Sequence, residues 1–400
     1  MTTRIVIIVF VLTAGVISVL LIPSRRTEPR IIWEKAGGEW APPPAIGNDG
    51  TIYFVDSFAN LCAVGRDGAF RWRSACPVTT NSVSPTIHAI SVAPRSIYCV
   101  TSARELAALG TNGSFSWSAD VGAPDYSTPT VAPDGGVYVG SKSNRLHAFN
   151  PDGSHRWEFK TSGWESGNAT VGPDGTIYFQ CRKNVYALET NGAVKWTCTN
   201  ETASLNHPIL GPDGTIYIAI FTNFCAIRPD GSIKWRITLY TGQHSAILDR
   251  AGALYVCGHD GVSALRAETG ELIWKYSEPP APYCGLALGQ DGTIYFSGLN
   301  SSIYAIDTDG RFKWQFRRAA HFGAKDAITG VINWFRTRGK RQKMLYASGF
   351  VLAEDARLYA IMPDRKLYAL EVSAGLDTNA PWPMLKHDVQ HSGRAAAMSR

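Results

Sequence analysis

The chain has 400 residues, of which 45% are hydrophobic and 18% charged, and its formal net charge is +6 at pH 7. This composition excludes an intrinsically disordered chain, and the 38 glycines with few helix-type charge pairs favour an all-β globular domain. The eight cysteines include no Cys-x-x-Cys pair, so their spacing indicates neither a zinc site nor a thiol-redox motif.

The first element is an uncharged run of 18 residues, 5–22, preceded by Arg4 and followed by Arg25 and Arg26. It is just long enough to span a bilayer, and no Ala-x-Ala cleavage site accompanies it. We therefore predict an uncleaved signal anchor at 1–24, with a cleaved signal peptide as the alternative. Either element exports the rest of the chain to the cell envelope. The chain is then anchored in the inner membrane, facing the periplasm or exterior, or secreted if the segment is removed. A lipoprotein anchor is disfavoured, because no cysteine follows the run.

After a linker at 25–30, tryptophans recur along most of the chain. The intervals between them are 39, 45, 40, 39, 39, 39 and 40 residues, and the positions are Trp33, Trp72, Trp117, Trp157, Trp196, Trp235, Trp274 and Trp314. A fixed period near 40 indicates one structural unit copied many times. Each unit has a Pro-Asp-Gly-like turn, a strand, a second strand ending in a triplet such as Tyr186-Ala187-Leu188, an Asp-Gly or Asn-Gly turn, and the tryptophan strand. These Gly turns are strong hairpin signals, because glycine adopts the positive φ that tight turns require.

Three strands per repeat, with room for a fourth, predict an all-β, eight-bladed β-propeller of four-stranded antiparallel blades over residues 31–394, with a tail at 395–400. This count includes a divergent last unit at Trp382, and seven blades is the alternative. The segment 31–33 has no preceding unit, so we expect it to complete the blade begun by the C-terminal strands. We expect each indole to pack between neighbouring blades with its N–H on a backbone carbonyl, which is a structural role rather than a ligand-stacking one.

The repeat resembles a known family. Residues 264–274, Ala-Leu-Arg-Ala-Glu-Thr-Gly-Glu-Leu-Ile-Trp, are similar to the tryptophan-docking motif of pyrroloquinoline-quinone-type (PQQ-like) propellers, Ala-x-Asp-x-x-Thr-Gly-x-x-x-Trp, with Arg266 at the Asp position. Six other copies are one residue shorter, and 382–393 resembles another segment common in the family. The resemblance covers about residues 31–394 and implies the propeller fold. The family contains quinone-dependent dehydrogenases and also cofactor-free scaffolds of the BamB type.

The resemblance leaves two functions open. The dehydrogenases typically carry two adjacent cysteines, a calcium-binding carboxylate set and a catalytic Asp in long insertions. No two cysteines are adjacent here, and acidic residues lie mainly in turns such as Asp134-Gly135 and Asp213-Gly214. We therefore predict no catalytic, cofactor or metal residues and a non-catalytic scaffold that binds a protein or polymer partner. The alternative is a quinoprotein oxidoreductase that uses PQQ with calcium.

Hydrolytic and metal chemistry have no positive motif. No Gly-x-Ser-x-Gly elbow is present. His387 and His391 are four residues apart, a spacing that suits a metal on a helix, but their surroundings predict a loop.

The longest interval without a repeat signal is a basic insertion at about 317–349, leading into the last blade. Its net charge is +7 with Asp326 as the single acid, whereas the whole chain is +6, so the remainder is close to neutral. Insertions in propellers map to loops on one face, often the binding face. We predict contact with an anionic partner, namely an acidic protein patch, an acidic polymer or a phospholipid surface, through Arg317, Arg318, Lys325, Arg336, Arg338, Lys340, Arg341 and Lys343. The alternative is a solvated loop. Export disfavours nucleic acid, and we expect a monomer.

The cysteines occupy different registers of the repeat. Cys62 and Cys225 replace the aromatic residue of the triplet, where a small buried hydrophobe is acceptable. We predict no disulfide framework, and one or two bridges between neighbouring blades remain open.

Overall fold

The eight-bladed propeller is confirmed. A computed structural model describes residues 28–384 apart from 39–40, 78–84, 123–126, 162–166, 200–206, 221–222, 240–244, 259–260, 278–281, 299–301, 319–348 and 382. It contains eight four-stranded antiparallel sheets, so the seven-blade alternative is wrong. The predicted signal segment, Trp382, His387 and His391 lie outside the described residues. Within the described residues, no helix is long and apolar enough to cross a membrane.

The first four blades each take four consecutive strands. Their bounds are β2 (Ala45–Ile46), β3 (Ile52–Val55), β4 (Leu61–Val64) and β5 (Phe70–Ser74) in blade 1; β6 (Ile87–Val92), β7 (Ser96–Thr101), β8 (Glu105–Gly110) and β9 (Phe115–Asp120) in blade 2; β10 (Thr130–Val131), β11 (Val137–Ser141), β12 (Arg145–Phe149) and β13 (His155–Lys160) in blade 3; β14 (Ala169–Val171), β15 (Ile177–Cys181), β16 (Asn184–Leu188) and β17 (Val194–Thr199) in blade 4.

Blades 5 to 7 repeat this order, and blade 8 combines the two ends of the chain. The bounds are β18 (Ile209–Leu210), β19 (Ile216–Ile220), β20 (Asn223–Ile227) and β21 (Ile233–Thr238) in blade 5; β22 (Ala246–Leu248), β23 (Ala253–Gly258), β24 (Gly261–Arg266) and β25 (Leu272–Tyr276) in blade 6; β26 (Pro282–Leu288), β27 (Ile294–Gly298), β28 (Ser302–Ile306) and β29 (Phe312–Arg317) in blade 7; β30 (Phe350–Leu352), β31 (Arg357–Met362), β32 (Lys366–Glu371) and β1 (Arg30–Ala36) in blade 8.

The ring closes as the sequence predicts. Strand β1 pairs antiparallel with β32, from Arg30 opposite Glu371 to Ala36 opposite Lys366. The N-terminal strand therefore covers the outer edge that the C-terminal strands would otherwise expose.

The first strands of neighbouring blades contact one another, as β2 does with β6 and β26 with β30, so the first strands surround the centre of the ring. Antiparallel order then gives the ring two faces. The turns between first and second strands and between third and fourth strands lie on what we call the lower face. The upper face carries the turns between second and third strands and the connections between blades.

Each blade is linked to the next by its tryptophan. In seven blades the indole N–H donates to a carbonyl of the following blade, at 2.7–2.9 Å. The carbonyl lies in or beside the turn between the third and fourth strands. The donor and acceptor pairs are Trp33–Arg66, Trp72–Thr111, Trp117–Pro151, Trp157–Thr190, Trp196–Pro229, Trp235–Ala267 and Trp274–Thr308.

The glycine of that turn has two roles. Gly153 has φ +89°, and a Cβ added there would lie 2.6 Å from the Trp117 ring. The position thus needs glycine both for its backbone conformation and for the close approach of the indole. This double requirement explains why the Asp-Gly or Asn-Gly turn and the tryptophan recur together.

The turn aspartates of the lower face serve local structure. In five blades the aspartate of the first turn pairs with a cation one residue before the tryptophan. The N···O distances range from 2.6 to 3.6 Å in Arg71–Asp49, Arg156–Asp134, Lys195–Asp174, Lys234–Asp213 and Lys313–Asp291. The same carboxylates accept backbone N–H groups within their own turns. The charges of this face are therefore largely committed to the repeat.

We predict that Gly153→Ala destabilises the protein more than Gly252→Ala. Both glycines have positive φ, at +89° and +79°, so both variants bear the same backbone strain of about 1 kcal/mol. Only the methyl at 153 meets an indole, because nothing lies within 4 Å of the Cβ position at 252. We expect Gly153→Ala to lower the free energy of unfolding by a further ~1–3 kcal/mol in urea titrations. Equal losses would contradict the packing role.

Candidate functional site

The upper face carries Phe58, a phenylalanine at the tip of a turn in blade 1. This side chain is 80% exposed in the turn between β3 and β4. The corresponding turns of blades 3 and 4 are polar, with residues 142–144 and 182–183. Phe58 is the most exposed large hydrophobic side chain of the described residues, ahead of Phe70 at 56%, and it offers apolar area that a partner can cover.

The Phe58 turn is rigidly supported from below. The Asp56 carboxylate is buried, with 4% of the side chain exposed, and it pairs with Arg73 at 2.8 Å. It also accepts the backbone N–H groups of Phe58 at 2.8 Å and Asn60 at 3.0 Å. The Asn60 side-chain amide donates to both carboxylate oxygens, at 3.0–3.1 Å. The turn is therefore built around one ionised group.

The pKa of Asp56 reflects these contacts. Burial alone would raise its pKa, but the hydrogen bonds from Asn60 and Phe58 and the positive charge of Arg73 hold the pKa below the ordinary value of 3.8. The carboxylate is therefore ionised at neutral pH, which is the form that the turn requires.

Two residues of the predicted basic segment are described, and both lie at the upper end of blade 7. Arg317 is exposed at the end of β29. The Arg318 guanidinium lies 4.4 Å from the ring centroid of Phe316 and 5.6 Å from that of Tyr368, so it rests on an aromatic pair between blades 7 and 8. This cation–π contact holds the arginine in place. One of its N–H groups donates to the Arg317 carbonyl at 3.1 Å.

Two hydrogen bonds link the turn between β31 and β32 of blade 8 to the Phe58 turn of blade 1. In the blade 8 turn, the carbonyl of Arg365 accepts the N–H of Gly37 at 2.7 Å. The Gly37 carbonyl in turn accepts the hydroxyl of Ser57, next to Phe58, at 2.5 Å. We call the surface formed by Phe58, Arg317, Arg318, Arg365 and Lys366 the closure patch, because it follows the upper side of the blade where the ring closes.

The other six predicted contacts lie outside the described residues: Lys325, Arg336, Arg338, Lys340, Arg341 and Lys343. The segment that contains them leaves blade 7 after Arg318 and enters blade 8 at Gly349, where a Cβ would lie 2.6 Å from Pro43 of blade 1. Its two described ends therefore flank the closure patch.

The central channel differs between its two ends. At the upper end, the Asn168 amide bridges blades 3 and 5, since its Oδ1 accepts the N–H of Thr128 at 2.6 Å and its Nδ2 lies 2.9 Å from His207 Nε2. At the lower end, the C-terminal segment pairs with the inner strand of blade 7, with Leu376 opposite Gly289 and Met384 opposite Ala287.

Blade 8 leaves a cavity on the lower face. Its fourth strand comes from the N-terminus, so it has no turn between third and fourth strands to receive Trp314. The indole N–H of Trp314 has no carbonyl acceptor among the described residues. A cavity of about 490 Å³ lies beside it, lined by Glu28, Pro29, Arg30, Lys313, Trp314, Glu371, Val372 and Ser373. This volume suits a small molecule, but its rim is largely charged and open.

Seven of the eight cysteines are free thiols, namely Cys62, Cys76, Cys99, Cys181, Cys198, Cys225 and Cys257. Burial raises the pKa of Cys62 to about 11 and that of Cys76 to about 12, so these thiols are protonated and unreactive at neutral pH.

We predict that Asp56→Ala lowers the free energy of unfolding by about 3 kcal/mol at pH 7, since it leaves Arg73 and three N–H donors without their acceptor. Because the folded pKa lies below 3.8, the contribution is present above that pH and is lost as pH falls through the folded value. The difference between wild type and variant should therefore shrink in urea titrations at pH 3.

The matched control is Glu271→Ala, which removes an exposed pair with Arg266 at 3.4 Å. We expect this change to stay within about 0.5 kcal/mol. If the two variants lost equal stability, the Asp56 cluster would not be the support of the turn.

Comparisons with known proteins agree with this architecture. A family model described as outer membrane protein assembly factor BamB matches residues 25–171, 181–315 and 243–377. The crystal structure of BamB from Moraxella catarrhalis superposes with a TM-score of 0.65 at 14% sequence identity, over 86% of this chain and 100% of that chain. The computationally designed Ika8 protein superposes with a TM-score of 0.66 at 8% identity, over 84% and 98%. No curated protein sequence matches the chain. At these identities the structures show a shared fold, and the family model shows that the chain belongs to the BamB-type, PQQ-like β-propeller family.

Proposed function

We propose that this protein is a non-catalytic scaffold of the cell envelope that binds a protein partner through the closure patch. The observation that carries the proposal is Phe58, an aromatic side chain 80% exposed on a turn whose backbone N–H groups bond to the buried Asp56 carboxylate. A rigid aromatic residue offers a large apolar contact area at little cost in conformational entropy. Aromatic residues, phenylalanine included, and arginine are enriched at the core of protein interfaces.

The charges of the patch favour an acidic partner. Arg317 is exposed, and Arg318 is held on the Phe316 and Tyr368 rings, so both can face a carboxylate-rich surface. The sequence between Arg318 and Gly349 contains six further basic residues and one acidic residue. A protein fits better than a phospholipid surface, because the aromatic contact is one residue on a turn rather than a broad apolar face.

The position of the N-terminal strand determines how a membrane-tethered form of this protein would be oriented. Strand β1 enters the ring at Arg30, opposite Glu371 and at the lower face, and runs upward to Ala36. An anchor formed by residues 5–22 would then leave from the lower face. The closure patch would point away from the inner membrane, accessible to partners in the periplasm or exterior.

The first test places a photo-crosslinking amino acid at position 58 and, in a second variant, at position 70. Phe70 belongs to the same blade and is 56% exposed, but it begins β5 next to the lower face. We expect position 58 to crosslink a discrete protein in intact cells and position 70 to crosslink none. Equal crosslinking from both positions would contradict a partner site at the closure patch.

A charge-reversal variant tests the electrostatic part. We expect Arg317→Glu combined with Arg318→Glu to weaken crosslinking from position 58 at least ~10-fold at low salt, since both side chains would then repel an acidic partner. Reversal at Arg336, Arg338, Lys340 and Arg341 tests the remaining basic segment separately. Binding of the wild-type chain to acidic liposomes, lost in that second variant, would favour the lipid alternative.

Two rival functions have direct readouts. Saturable binding of PQQ with calcium, accompanied by dye reduction with an alcohol or sugar, would replace the scaffold proposal by an oxidoreductase. Co-purification of the crosslinked partner with an outer-membrane insertion complex would narrow the proposal to an assembly role like the one named for the BamB family.

A further inference from the structure

Blade 3 departs from the repeat at two positions, and a glutamate lies beside both. In the other blades, the residue two before the tryptophan is apolar: Ile31, Phe70, Phe115, Val194, Ile233, Leu272 and Phe312. Blade 3 has His155 there. It also has Glu158 directly after Trp157 and His147 opposite Glu158 on the neighbouring strand. No other blade has a histidine at either of these two positions.

The three side chains converge on one point. A ring nitrogen of His147, a ring nitrogen of His155 and a carboxylate oxygen of Glu158 all lie within 4.8 Å of one another. This happens because β12 and β13 are paired, with a bulge between Ala148 and Phe149 that brings His155 to the same side as His147. His147 is buried, whereas the other two side chains are exposed.

We propose that His147, His155 and Glu158 form a binding site for a divalent transition-metal ion, with Zn²⁺ as the ion that this ligand set suits best. Two imidazoles and one carboxylate are a recurrent zinc ligand set that leaves a fourth position open. Tetrahedral coordination at 2.0–2.1 Å places ligand atoms about 3.3 Å apart. The exposed side chains of His155 and Glu158 can make that approach by changing rotamer, without movement of the backbone.

The ring of His147 hydrogen-bonds to the backbone of Val121 in blade 2. Its Nε2 lies 3.1 Å from the Ser141 hydroxyl, which must rotate away before this nitrogen binds a metal. Contact of a ligating histidine with a backbone carbonyl commonly fixes the ring orientation. Phe149 stacks parallel to His147 at 6.3 Å and meets His155 edge-on at 5.7 Å, so one aromatic ring braces both imidazoles.

A second neighbour, Arg145, opposes the metal at Glu158. Arg145 Nε lies 2.9 Å from Glu158 Oε1, so the guanidinium competes with a cation for this carboxylate. The second carboxylate oxygen stays available to the metal, and Arg145 is partly exposed and can turn toward solvent. The arginine therefore weakens the site and provides a way to strengthen it experimentally.

The test is isothermal titration of ZnCl₂ into the detergent-solubilised full chain after removal of metal with a chelator. We expect one high-affinity site in the wild type. His155→Phe should weaken binding at that site at least ~100-fold, since it removes one of three ligands. This variant restores the residue found at the same position in blades 1, 2 and 7, so the blade should fold, and an unchanged melting temperature without metal checks this.

Two further variants separate the site from other metal-binding groups. Arg145→Gln should tighten Zn²⁺ binding, because it removes the competing cation from Glu158. His207→Gln removes a histidine at the channel mouth and should leave the affinity unchanged. Binding of Zn²⁺ by His155→Phe with wild-type affinity and stoichiometry would overturn the proposal. The proposal would also fail if Cu²⁺ electron paramagnetic resonance spectra showed the same number of coordinating imidazole nitrogens in the wild type and in His155→Phe.

Discussion

The structure depends on the contact between the indole of each blade and the next blade's turn between its third and fourth strands. A single four-stranded blade cannot bury both of its faces, so each blade needs its neighbours on both sides. The indole satisfies this need in two ways at once, since its N–H reaches a turn carbonyl and its ring lies on the turn glycine. Any change in that turn affects a hydrogen bond, a close packing contact and a backbone conformation together, as Gly153 and Trp117 illustrate.

This contact restricts which residues can occur on the lower face more than on the upper face. The lower face carries the docking turns and the paired aspartates, so its residues are committed to the ring. The upper face carries no docking turns, and the exposed Phe58, the buried Asp56 carboxylate beneath it and the ends of the basic segment lie there. The site features thus occur where the repeat imposes the fewest requirements on a residue.

The repeat explains how much of the fold could be predicted from the sequence. The tryptophan period revealed the blade count, and the segment 31–33 without a preceding unit revealed the closure. Both inferences need only spacing. The candidate sites need contacts that spacing does not contain. Phe58 could have been noticed as an aromatic residue in an otherwise polar turn, but the burial of Asp56 below it could not.

The blade 3 cluster shows the same limit more sharply. His147 and Glu158 are opposite each other only because of the register between β12 and β13, and His155 joins them only because of a bulge. A one-residue difference in that register would move the two histidines to opposite sides of the blade. The cavity beside Trp314 was also beyond prediction, because it results from a turn that blade 8 lacks.

The pairing of β1 with β32 also has a consequence for biosynthesis. Strand β1 leaves the ribosome long before its partner exists, and more than 300 residues separate Ala36 from Lys366. Seven blades can assemble in order behind it, but until the last strands arrive the arc remains open at both ends. Joining ends so far apart carries a large loop-closure entropy, and such non-local pairing is slow. A nascent chain would therefore pass through an unclosed arc with exposed strand edges, a form vulnerable to aggregation and proteolysis that a chaperone could protect.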